Sequence, residues 1–134
     1  MKLRTVISAV TFFATLPCAL LGLAGGEVVA QTLVDDWGWG DVETHLVAYY
    51  KGKSLFAESI KITVNGDDGY TFTPKVKAGW YPQISVVSMR DGTKNLLVTI
   101  GDETLPCTHF LLYQLDGQQA KLVSHNKIFN KIGC

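Results

Sequence analysis

From Ser59 to Val64 the chain alternates apolar and polar side chains with a period of two, the pattern of a strand with one buried and one wet face. Asn65-Gly66-Asp67-Asp68-Gly69 follows, a cluster that tolerates positive φ, and Tyr70-Thr71-Phe72-Thr73 alternates again. Together these predict a β-hairpin. Pro74 lacks an amide donor, so the second strand ends there or lies at an edge. Lys77-Ala78-Gly79 and Arg90-Asp91-Gly92-Thr93-Lys94 read as turns around a strand at Ile84-Ser85-Val86-Val87. Leu96 to Ile100 is a continuous apolar and β-branched run, which predicts a central strand buried on both faces. Phe110 to Leu115, closed by Asp116-Gly117, and Ala120 to Ser124 predict two more strands, and His45 to Tyr50 opens the set. No window carries a capped helical stripe, so the expectation is an all-β domain of antiparallel hairpins in a meander.

The first thirty residues read differently. Lys2 and Arg4 precede an uncharged apolar run from Val6 to Leu23, then Gly25, Gly26 and Val28-Val29-Ala30. This predicts a signal peptide at residues 1–30, cut between Ala30 and Gln31, with a single domain at 31–134. An uncleaved anchor is the alternative, since the run has about the minimum length for a span. Cys18 offers a lipid attachment point, although Leu16-Pro17 lacks the small residue expected before a lipidated cysteine. After cleavage no membrane span is expected, and the protein is secreted or extracytoplasmic, in the periplasm or at the cell surface. In that oxidising setting Cys107 and Cys134 are expected to form a disulfide, with two free thiols as the alternative.

Charge narrows the function classes. Twelve basic and twelve acidic residues cancel, which argues against a nucleic-acid binder. An apolar content of 47% excludes disorder. There is no Gly-x-Ser-x-Gly, no Cys-x-x-Cys and no His-x-x-x-His, so hydrolase and zinc signatures are missing. Asp67 and Asp68 fit a hairpin turn. Asp102 and Glu103 follow a buried strand and stand close in sequence to Cys107 and His109, a set that offers acid/base or thiol–imidazole chemistry.

Aromatic residues give the strongest pointer. Nine of the twelve in residues 31–134 fall between Trp37 and Tyr81. Trp37, Trp39, Trp80 and Tyr81 lie near strand ends or turns, where flat rings stack on sugars or fill a partner's pocket. Cross-strand packing is the ordinary alternative. Asp35 and Asp36, just ahead of Trp37, supply acceptors for hydroxyl groups.

The succession of the Gly-rich hairpin, Ile84-Ser85-Val86-Val87, Asp91-Gly92, Leu96-Leu97-Val98-Thr99-Ile100 and Phe110-Leu111-Leu112-Tyr113 resembles secreted bacterial proteins of the VCBS/FG-GAP repeat type, over roughly residues 37 to 125. In that family the repeats form β-propeller blades and the Asp-rich loop often holds calcium. The resemblance implies a propeller-blade-like or small open β-domain, with calcium as the cofactor and Asp91 and Asn95 as its surviving ligands. Val87 and Met89, at the other matching positions, offer no side-chain oxygen. The function expected is a non-catalytic β module that binds a surface protein or glycan through Trp37, Trp39, Trp80 and Tyr81. The alternative is a small extracytoplasmic enzyme or inhibitor acting through the Asp102-Cys107-His109 loop.

Overall fold

The computed structural model describes residues 26–104 and 107–129. They form eight strands: β1 (Gly26–Asp36), β2 (Asp41–Tyr50), β3 (Phe56–Val64), β4 (Tyr70–Phe72), β5 (Gly79–Ser88), β6 (Lys94–Gly101), β7 (Cys107–Leu115) and β8 (Ala120–Phe129). A 3-10 turn, Gly66–Asp68, joins β3 to β4. All eight belong to one sheet in the order β1-β2-β3-β5-β6-β7-β8, with β4 added beside β3, and every pairing is antiparallel. Of the two architectures expected, the small open β-domain is the one observed. Among the described residues no helix is long and apolar enough to cross a membrane.

The predicted hairpin is present, with Ile62 opposite Phe72 and Val64 opposite Tyr70. Leu96 to Ile100 departs from expectation. Leu96, Val98 and Ile100 are buried, whereas Leu97 and Thr99 are only half-buried. The run is continuous in sequence, but the pleat still sends alternate side chains to two unequal faces. Gly79 and Trp80, read as a turn and its flank, belong to β5, and β8 runs on to Phe129. Strand β1 had no predicted counterpart. It begins at Gly26, ahead of the Ala30–Gln31 bond expected to be cut, and a register slip between Val29 and Gln31 interrupts its ladder.

The sheet curls about one face. Val42, Leu46 and Ala48 of β2, Ile60, Ile62 and Val64 of β3, Ile84 of β5, Leu96, Val98 and Ile100 of β6, and Leu111, Tyr113 and Leu115 of β7 form the core there. Leu33 on β1 shares it, and Gln31 two residues earlier is half-buried. The Gln31 amide reaches across to β5: its Nε2 donates to Ile84 O at 2.7 Å, and Ile84 N donates to its Oε1 at 2.8 Å. A side-chain amide thus reproduces a strand's donor–acceptor pair where no strand pairing exists. Lys94 makes a second crossing, donating to Asp35 Oδ1 at 3.2 Å and Asp36 O at 2.8 Å. On the other flank Phe72 packs on Tyr113, with ring centroids 5.0 Å apart. The Tyr70 hydroxyl donates to Asp116 O at 2.9 Å. Burial and the Asp116 carboxylate push that phenol up to about 12, so it remains a donor.

Among the described residues Thr44 is the discord in the core. It is 1% exposed on β2, and its Oγ1 has no hydrogen-bond partner. A buried unpaired hydroxyl costs stability that an apolar side chain of the same shape avoids. Thr44→Val is expected to stabilise the fold by about 1 kcal/mol, read as a higher denaturant midpoint at unchanged slope.

Candidate functional site

Strand β5 enters the sheet awkwardly. Trp80 pairs with Phe56 on one side and Gly101 on the other, then the register slips before Gln83. Tyr81 sits inside that irregularity with φ of 46°, a left-handed conformation that costs a non-glycine residue about 1–2 kcal/mol. A proline pushes the residue before it toward extended backbone, so the surrounding strand pairing, and not Pro82, imposes this φ. The result turns Tyr81 outward. The residue is 57% exposed, while its amide donates to Leu55 O at 3.3 Å. Trp80 lies 6.0 Å from it and meets Phe56 edge-on at 5.2 Å. Tyr81 also walls an open groove of about 430 Å³, lined by Ala30, Gln31, Tyr50, Pro82 and Gln83. Burial raises the Tyr50 phenol, which keeps it neutral and able to donate. None of these lining side chains carries a charge near neutral pH.

Trp37 and Trp39 lie elsewhere. They occupy the β1–β2 turn, closed by Trp37 N donating to Gly40 O at 3.0 Å and Gly38 N to Asp36 Oδ1 at 2.9 Å. Trp37 is 8% exposed and belongs to the core, whereas Trp39 is exposed. Trp37 lies seven positions beyond Ala30 of the groove along β1, about 23 Å in extended chain. The structure therefore keeps Trp80 with Tyr81 but does not bring the four aromatics onto one surface. Asp35 is engaged by Lys94 and by the Asp36 amide, so it braces the turn.

Asp91 and Asn95 flank the β5–β6 turn. Asp91 Oδ1 accepts from Thr93 N at 3.0 Å and from Thr93 Oγ1 at 2.7 Å, and those bonds hold its carboxyl below the usual range. Asn95 is buried on β6 opposite Val87. Among the described residues no group of three or more His, Cys, Asp or Glu side chains is placed to hold a metal ion.

At the far end of β7 the loop carboxylate does meet His109. Asp102 Oδ1 lies 2.7 Å from His109 Nε2, and Asp102 Oδ2 accepts from Thr104 N at 3.0 Å. The Thr104 amide, and then the His109 ring, hold the Asp102 carboxyl below its ordinary value. Glu103 is exposed beside it, and Cys107 is buried. Cys134 lies outside the described residues.

Sequence reasoning missed His125, whose Nε2 lies 3.0 Å from His109 Nδ1. A signal was present: the Asp116-Gly117 turn falls about midway between the two histidines, so a hairpin folded there sets them on adjacent strands. His125 stands opposite Leu111, and Lys127 stands opposite His109. Desolvation, then Lys75, His109 and Lys127, push His125 below the ordinary imidazole value.

No family model, curated protein or solved structure matches the chain.

Proposed function

We propose that the chain is a secreted, non-catalytic β module that binds a protein or glycan at the cell surface through the groove walled by Tyr81 and Tyr50. The exposed Tyr81 ring held in left-handed backbone carries this reading. Strained backbone persists when surrounding structure enforces it and clusters at binding sites. Trp80 lies beside the ring, and Trp39 offers a separate exposed contact at the other end of β1. The resemblance to VCBS/FG-GAP proteins, and a Cys107–Cys134 bridge pinning the C-terminus, fit the same extracytoplasmic setting. The test measures retention of the purified protein on a panel of surface polysaccharides and on envelope proteins. Tyr81→Ala is expected to weaken binding by about tenfold or more, as aromatic anchors do. Tyr81→Gly should weaken binding equally while raising Tm, because glycine accepts the positive φ without strain. Unchanged binding in Tyr81→Ala and Trp80→Ala sinks the assignment.

A second reading is favoured by the 2.7 Å contact between Asp102 and His109. There the loop from Asp102 to His109 serves a small extracytoplasmic enzyme or inhibitor, with the carboxylate orienting the imidazole. Loss of an activity in His109→Ala, with groove binding intact, would select it.

A further inference from the structure

The described part of the molecule places two imidazoles in direct contact, and one of them is also held by a carboxylate. Each neutral ring has one N–H and one lone pair. The carboxylate accepts from His109 Nε2, which leaves His109 Nδ1 free to accept from His125 Nε2. One further proton is accommodated. A cationic His109 donates to both neighbours, or a cationic His125 donates to His109. A second proton is not accommodated, because both facing nitrogens then carry hydrogens 3.0 Å apart.

We propose that Asp102, His109 and His125 form a proton-controlled latch that holds the C-terminal half of edge strand β8 on the sheet and opens when both imidazoles are protonated. Four charged or titratable groups bear on it. Asp102 comes from the β6–β7 loop, Lys75 from the β4–β5 loop, His109 from β7 and Lys127 from β8. The ammonium groups of Lys75 and Lys127 oppose a charge on His125. Between the β7–β8 turn and the Cys107–Cys134 bridge proposed above, β8 has β7 as its sole strand neighbour among the described residues, so the latch bears on that span. Its ladder already slips between Leu112 and Tyr113. Val123 and Ile128 on β8 are about half exposed, so apolar burial adds little.

The direction with pH follows from linkage. His125 resists protonation in the folded chain, so the open strand takes up the proton first as pH falls through about 6.5. The closed form is therefore fully favoured above that value and loses ground below it. Asp102 adds its own loss only at lower pH, near the ordinary carboxylate range.

The test is amide hydrogen exchange on the purified protein at pH 7.5 and pH 5.0, with rates corrected for intrinsic exchange. Protection at Ser124 to Ile128 is expected to fall about tenfold relative to β2 and β3 amides at the lower pH. His125→Gln, which keeps a neutral hydrogen-bonding group, should remove that difference. Nuclear magnetic resonance titration of the wild-type imidazoles gives a check that needs no variant. The pair should lose its two protons in separated steps. A constant protection ratio in the wild type, two independent single-site titrations, or an unchanged pH response in a folded His125→Gln protein would each overturn the latch.

Discussion

Gly79→Ala is expected to destabilise the protein by about 3 kcal/mol, a fall in Tm of roughly 15 °C for a domain of this size. A Cβ at that position would run into Ile100 Cγ2 and the carbonyl oxygen of Gly101. Neither neighbour yields readily. Ile100 is fully buried in the core, and Gly101 is tied into the ladder opposite Trp80. Gly79 itself pairs with the buried Ala57, so the backbone is hemmed in on the β3 side as well. Where close-packed backbone cannot shift, an added methyl is accommodated only by breaking pairing. The same substitution disturbs the two residues that follow, Trp80 and Tyr81, and should also weaken binding at the groove. Differential scanning calorimetry checks the first effect. A Tm within 2–3 °C of wild type would mean that the corner is looser than its packing indicates.

Leu96→Ala should cost about 2–5 kcal/mol. Leu96 is fully buried between Val86 on β5 and Tyr113 on β7, and truncation leaves a cavity walled by strands paired on both sides. Its neighbour Leu97 is a built-in control. It points to the opposite face between Ser85 and Leu112 and is only half-buried, so Leu97→Ala should cost about 1 kcal/mol. Urea unfolding of both variants measures the contrast. Equal losses would show that the two faces of β6 are equivalent, against the burial observed.

That contrast also marks the limit of what the sequence discloses. Period-two alternation located the β3–β4 hairpin because one face is wet and polar there. In Leu96 to Ile100 both faces carry apolar residues, and sequence hydropathy has no means to separate a buried leucine from a half-buried one. Strand β1 escaped notice because Val28-Val29-Ala30 also satisfies the demands of a cleavage site. The aromatics were read as one group because they are close in sequence, yet the length of β1 holds Trp37 and the Tyr81 groove apart. Trp37, at a turn in the sequence, has its ring in the core, because a turn position does not by itself say which way a side chain points. The Asp102–His109 contact was foreshadowed by loop spacing, whereas His125 needed a strand register that spacing alone does not supply.

The meander carries a consequence for how the chain acquires its structure. Apart from β5, which crosses back to β3 past the short β4, each strand pairs with its predecessor in sequence. Ladders between sequence neighbours close short loops, and low contact order favours fast folding. A chain delivered from its N-terminal end can therefore add one strand at a time, without waiting for a distant partner. The Gln31–Ile84 crossing can close once β5 has arrived, while β6 to β8 are still being delivered. Strand β8 arrives after them, and His125 can engage His109 only then. The contact between the two imidazoles would thus form at the end of assembly, and delivery into an acidic compartment would slow that last step.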